Sequence, residues 1–101
     1  MEIIRIVRMS FNPDDVTDFL AMFAEKYPLI RHFEGCNSLR LMQDEQHLNV
    51  YYTISEWQSA RHLDQYRHSD LFKDTWKLTR SWFNDKPQAF SLQDAGIPTK
   101  G

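Results

Sequence analysis

The chain holds one cysteine, three glycines and four prolines in 101 residues, and each scarcity closes off a class of protein. A lone cysteine, Cys36, cannot form an internal disulfide, which suits a reducing compartment. It reads as a small packed residue, since no neighbouring base marks an activated thiol. Three isolated glycines build no phosphate-cradling loop. Long apolar runs are missing too. The N-terminus, Met1-Glu2-Ile3-Ile4-Arg5-Ile6-Val7-Arg8, alternates charge with hydrophobicity, unlike a signal peptide or a membrane span. A cytoplasmic protein without a membrane partner is expected. Twelve basic and fourteen acidic residues interleave to a net charge of −2, so no basic stripe invites nucleic acid. The four histidines are scattered, with no HxxxH or HxxE spacing, and no metal site is expected.

Aromatic residues are plentiful. They make up 14% of the chain, including three Trp and seven Phe, within an ordinary 42% hydrophobic and 26% charged composition. That composition predicts one folded domain over residues 1–94 with a single core. Residues 95–101, with two Gly and one Pro, predict a loose C-terminal tail. Large flat side chains fill cores, and they also line pockets for planar ligands.

Apolar periodicity orders the elements. Residues 2–11 are rich in β-branched and apolar types and predict a first strand. Asn12-Pro13-Asp14-Asp15 predicts a helix start, with Asn as the side-chain cap and Pro at the first helical position. Val16, Phe19, Leu20, Phe23, Tyr27 and Ile30 then form one stripe, which Pro28 should kink or split near Tyr27. Gly35 ends the segment. Asn37–Asp44 and Leu48–Glu56 predict a hairpin around Glu45-Gln46-His47. A short helix follows, capped from Ser55 or Ser59, and a second helical piece restarts at Ser69-Asp70. Its buried side is expected to carry Leu71, Phe72, Thr75, Trp76, Thr79, Trp82 and Phe83, ending at Asn84-Asp85-Lys86-Pro87. Gln88–Gln93 predicts the last strand.

The fold class expected is therefore α+β, a ferredoxin-like βαββαβ domain with a four-stranded antiparallel sheet. Alternation puts Ile4 and Ile6 on one side of strand one, with Ile3, Val7, Met9 and Phe11 on the other. Strand three repeats this, with Val50, Tyr52 and Ile54 opposite Tyr51 and Trp57. Helices can cover one such face. A second copy across a two-fold axis covers the other most simply, so a homodimer is expected.

Several segments resemble the antibiotic biosynthesis monooxygenase (ABM) family: Ile3–Phe11, Phe33-Glu34-Gly35-Cys36, Tyr52-Thr53-Ile54-Ser55-Glu56-Trp57, Ser69-Asp70-Leu71-Phe72, and Lys86-Pro87-Gln88-Ala89-Phe90-Ser91-Leu92. Together they span about residues 2–93 in order. The resemblance implies a dimeric α+β barrel, with a pocket in each subunit between sheet and helices. It also implies a cofactor-independent monooxygenase acting on a small aromatic or quinol-type molecule. A non-catalytic module binding a hydrophobic small molecule is the alternative, and a purely structural dimer with a filled cavity is a third. Haem degradation in such proteins uses an Asn on strand one, a Trp ending strand three and a His in the last helix. Trp57 matches the Trp, but Val7 and Trp76 occupy the other two positions, so haem cleavage is not expected.

Cofactor-free oxygenation needs a dry pocket, a base and donors for a substrate anion. Tyr66 and His68 are the candidate catalytic residues, although many relatives carry His where Tyr66 and Leu71 stand. Trp57, Tyr51, His62, Phe72, Trp76 and Arg40 are candidate substrate contacts. Each has a plainer reading. Trp57, Phe72 and Trp76 suit a core, Tyr66 suits a core or a pocket wall, and His62 and His68 suit a solvated helix surface.

Overall fold

A computed structural model of the chain describes residues 1–98. Its elements run β1 (Ile3–Ser10), α1 (Val16–Arg31), β2 (Cys36–Gln43), β3 (Val50–Trp57), α2 (Ala60–Arg67), α3 (Asp70–Arg80) and β4 (Gln88–Leu92). The four strands form one antiparallel sheet in the order β2-β3-β1-β4. This is the predicted ferredoxin-like α+β arrangement, with helices packed on one face of the sheet.

Strand register sorts the side chains into two sets, because successive residues point to opposite faces. Toward the helices, Leu41, Thr53, Val7 and Ala89 form one cross-strand row, and Leu39, Ser55, Arg5 and Ser91 form the next. The outer face carries Arg40, Ile54, Ile6 and Phe90 in one row, between Met42–Tyr52–Arg8–Gln88 and Ser38–Glu56–Ile4–Leu92. Among the described residues nothing covers that outer set: Phe90 and Leu92 are 52% and 48% exposed.

The helix side holds two buried clusters. Ile3, Ile30, Cys36, Leu39, Trp57 and Leu63 form one, with Phe33 and Tyr66 against it. Met9, Phe11, Phe19, Met22 and Tyr51 form the other. Phe11 and Phe19 are stacked with ring centroids 4.2 Å apart, and both are essentially inaccessible to solvent. Cys36 is buried as expected, its thiol 3.5 Å from the Ser38 carbonyl oxygen.

Three local expectations are corrected. Pro28 neither splits nor ends α1, which runs through it to Arg31. Proline removes one helical N–H, and here the loss falls in the last turn, where buried Ile30 anchors the helix and the His32 N–H closes on the Pro28 carbonyl at 3.1 Å. Asn12 does not cap with its side chain. It precedes a short 3-10 turn, Pro13–Asp15, and its backbone N–H instead donates to the Trp82 carbonyl at 2.9 Å. Trp82 and Phe83 lie beyond the last helix, which stops at Arg80; Phe83 makes an antiparallel bridge to Phe11, and Ser10 Oγ donates to Asn84 Oδ1 at 2.6 Å. Of the two possible caps for the short helix, Ser59 is the one used, accepting from the His62 N–H at 3.2 Å. Ser69 caps α3 in the same way, accepting from the Phe72 N–H at 3.1 Å. In the 95–101 stretch, residues 95–98 have no regular structure, and 99–101 lie outside the described residues.

Candidate functional site

Between the two core clusters, sheet and helices enclose a cavity of about 290 Å³. Every element contributes to its wall. Arg5, Val7 and Met9 come from β1, Thr53, Ser55 and Trp57 from β3, and Leu39 and Ala89 from the two edge strands. Helix α1 adds Phe19, Met22, Phe23 and Ile30, α2 adds Leu63, Tyr66 and Arg67, and α3 adds Phe72, Thr75, Trp76 and Thr79.

The aromatic wall is a chain of ring contacts. Tyr66 stacks on Trp57 at 4.9 Å between centroids, Phe72 meets Tyr66 edge-on at 5.2 Å, and Trp76 stacks on Phe72 at 5.9 Å. Helical spacing produces this on α3, since residues 72 and 76 lie one turn apart on one face. Trp57 is fixed rather than free. It is 1% exposed, and its indole N–H donates to Ser55 Oγ at 3.0 Å. A flat ligand placed against these rings would meet surfaces already held in position.

Polar groups interrupt the apolar wall along one row. Ser55, Arg5 and Ser91 are cross-strand neighbours on three adjacent strands, and an Arg5 N–H donates to Ser91 Oγ at 2.9 Å. Burial, and then repulsion from the nearby Arg67 guanidinium, lower Arg5 from arginine's usual value. Arg67 itself sits at the C-terminal end of α2 and pairs loosely with Asp64, at 3.9 Å and well exposed. Across the cavity, Thr79 Oγ1 donates to the Thr75 carbonyl at 2.7 Å. Thr75 Oγ1 is the one buried side-chain oxygen without a hydrogen-bonding partner among the described residues.

The lining includes no histidine and no carboxylate. Its one weakly acidic group is Tyr66, and burial, with a smaller contribution from the Cys36 charge, holds that hydroxyl well above the usual phenol range. At neutral pH Tyr66 is therefore a neutral hydrogen-bonding group and not a base.

The residues singled out from sequence fall into two sets. Trp57, Tyr66, Phe72 and Trp76 come together on the cavity wall. The other four do not join them. Tyr51 is buried in the second core cluster, its hydroxyl accepting from Gln43 Nε2 at 3.0 Å. Arg40 pairs with Ile54 on the outer face, the opposite side of the sheet from the cavity. His68 is the exposed C-cap of α2, its ring Nδ1 2.7 Å from the Asp64 carbonyl. The helix does break beside it, yet the ring turns back along α2 rather than inward.

His62 is neither solvated nor at the cavity. It is buried, with Nδ1 2.7 Å from Ser59 Oγ, and its ring packs against the Cα of Gly35. The polar cavity residues that sequence reasoning did not assign to a site are Arg5, Thr53, Ser55, Arg67, Thr75 and Thr79. For three of them the signal was phase: Arg5 falls in step with Ile3, Val7 and Met9, and Thr53 and Ser55 with Tyr51 and Trp57. Val7 and Trp76, at the positions where haem-degrading proteins carry Asn and His, both line the cavity and supply neither side chain. That donor set does not match the haem-degrading arrangement.

A four-stranded antiparallel sheet backed by helices, with an aromatic cavity between the layers, defines a ferredoxin-like α+β fold. The antibiotic biosynthesis monooxygenase family model matches residues 2–78, and the chain belongs to that family. Solved structures agree on the fold. A conserved protein from Methanosarcina mazei Go1 superposes with a TM-score of 0.88 at 19% identity, covering 92% of each chain. Rv0793 from Mycobacterium tuberculosis gives 0.86 at 16% identity, covering 98% of this chain and 100% of its own. A structure named antibiotic biosynthesis monooxygenase gives 0.86 at 17% identity, covering 95% and 99%. Among curated proteins, no sequence matches the chain significantly. No helix among the described residues is long and apolar enough to cross a membrane.

Proposed function

We propose that the protein is a cofactor-independent monooxygenase of the ABM type, binding a small aromatic or quinol-type molecule between sheet and helices. The observation that carries this reading is the cavity itself. Rings from Tyr66, Phe72 and Trp76, with Trp57 stacked behind Tyr66, form an aromatic wall for a planar molecule, while Ser55, Thr53 and Arg5 interrupt the apolar wall on the sheet side. In this chemistry the ionised substrate passes an electron to dioxygen. The protein's part is to hold the ring, exclude water and stabilise the anion. Trp57 and Tyr66 would orient the ring, and the neutral Tyr66 hydroxyl would donate to the substrate oxygen.

The working unit in this reading is a homodimer joined through the outer sheet face. Members of the family are usually dimeric. Seven apolar or aromatic side chains, Ile4, Ile6, Met42, Tyr52, Ile54, Phe90 and Leu92, share that face and have no cover among the described residues.

A non-catalytic binding module is the second reading, favoured by one observation: no imidazole or carboxylate lines the cavity to take a proton. Oxygen uptake with a panel of hydroquinones and polyphenols separates the two. The enzyme reading expects turnover that falls roughly 100-fold in Tyr66→Phe, the scale of losing one anion-stabilising donor. It expects no change in His68→Ala, whose ring lies outside the cavity. No uptake with any compound, together with an unaltered ligand recovered from the purified protein, would establish the binding module instead.

A further inference from the structure

We propose that the cavity takes its aromatic ligand as an oxyanion, a planar ring bearing a carboxylate or an ionised phenol, with the charge set against Arg5 and Arg67. The inference deepens the reading above and rests on it, since it assumes that the cavity is the ligand site.

Arg5 and Arg67 both line this cavity and no carboxylate does. Arg5 stands on β1, which has a neighbour on either side in the sheet, and it points to the helix-covered face. Arg5 is half-buried there, so its charge is partly desolvated and a counter-ion would be favourable. Its cross-strand neighbours, Ser55 and Ser91, are neutral, and the single contact to Ser91 Oγ uses one of five guanidinium donors. Among the described residues no carboxylate lies within ion-pair distance of Arg5, while Arg67 has only the exposed, 3.9 Å contact to Asp64. Repulsion between the two arginines makes the arrangement worse when the cavity holds no anion. A negative oxygen between them would screen their mutual repulsion and offset the partial desolvation of Arg5. Each guanidinium would also present its flat fork to a planar group, the geometry in which guanidinium recognition is strongest.

The rest of the wall fits the same ligand. Thr75 Oγ1, buried and unpartnered, can serve a second oxygen substituent. The missing base then ceases to be a defect. A substrate that arrives ionised, or whose phenol is made more acidic by two adjacent cations, needs no imidazole to deprotonate it. The guanidiniums would do by electrostatics what a general base does by proton transfer.

The test is calorimetric titration of the full chain with naphthalene-2-carboxylate and with the neutral, isosteric naphthalene-2-carboxamide. The carboxylate should bind at least ~10-fold more tightly, as charge-assisted bonds outweigh neutral ones. Arg5→Gln combined with Arg67→Gln should abolish that preference while changing carboxamide affinity by less than about twofold, and Arg5→Lys should keep part of it. Arg67→Gln alone alters an exposed helix end and guards against a folding failure at Arg5; it should lower the preference by itself. Titration of 2-naphthol in buffers of different ionisation enthalpy distinguishes the phenolate form, because binding as the anion releases a proton to the buffer. Equal affinity for carboxylate and carboxamide would overturn the proposal and leave the aromatic cavity intact. Failure of all three probes to bind would overturn the ligand site and this inference with it.

Discussion

Replacing Gly35 with alanine does two separable kinds of damage, and their sum can be worked from the structure. Gly35 has φ of +88°, in the left-handed region, where a Cβ costs roughly 1–2 kcal/mol. The new Cβ would also lie 2.4 Å from three atoms of His62: Cβ, Cγ and Cδ2. These are not the far end of a flexible chain. His62 Cβ is rooted in the first turn of α2, which Ser59 holds through both the His62 N–H and the ring nitrogen. Either the turn before β2 or the whole start of α2 must therefore move, an overpacking cost of about 1–3 kcal/mol. The total, about 2–5 kcal/mol, is a large share of a small domain's stability. Three backgrounds resolve the parts. Gly35→Ala should cost most in the wild type and less in His62→Ala, where Cβ persists. It should cost only the left-handed conformation, about 1–2 kcal/mol, in His62→Gly. Urea unfolding at one fixed protein concentration measures all three, so that subunit association does not enter. Equal costs in the three backgrounds, within about 0.5 kcal/mol, would refute the steric reasoning.

Two further outcomes follow from the same geometry. The folded chain holds Tyr66 protonated to higher pH than the unfolded chain does. The associated stability is therefore whole below the ordinary phenol value of 10.0 and is lost as pH rises toward the folded one. Denaturant titrations across the alkaline range should show a downward slope of at most ~1.4 kcal/mol per pH unit from this group. Tyr66→Phe should remove that slope while leaving a second one from Cys36, whose thiol burial also raises; an unchanged slope in the variant would contradict the assignment. On the outer face, Ile6→Glu places a carboxylate between Ile54 and Phe90. Association would bury two such charges by symmetry, at about 4 kcal/mol or more in total, roughly a thousandfold in dissociation constant. Sedimentation at micromolar concentration should show a folded monomer, since the site is only half-buried within one subunit; an undisturbed dimer would place the interface elsewhere.

The order of strands and helices was legible because each element carries its own period. Ile3, Val7 and Met9 announce one face of β1 and Ile4 and Ile6 the other, and Ser59 and Ser69 stand where the helix starts need them. The elements ended less legibly. Pro28 looks like a breaker until the packing of Ile30 is known, and Trp82 looks like one more turn of α3 until it is seen to tie down Asn12. Both depend on contacts made far along the chain, which local spacing does not encode. The cavity was half legible for a related reason. Its aromatic wall follows from helical spacing on α3 and from the strand-end Trp57. The sheet positions its polar members by phase, a signal that residue type among histidines, tyrosines and a distal arginine does not carry.

Phase also explains why arginines of one sheet have different chemistry. Arg5, Arg8 and Arg40 differ little as side chains, and each stands on a strand among apolar neighbours. Arg8 and Arg40 fall in step with Ile4, Ile6 and Ile54, on the outer face, where long stems can lie along apolar surface and the charged heads reach its rim. Arg5 falls in step with Val7 and Met9 on the helix-covered face and lines a cavity with no carboxylate in its wall. A one-residue slip of β1 would exchange these roles, sending Arg5 outward and an isoleucine into the polar row. The outer apolar set and the inner cation are thus two readings of one register.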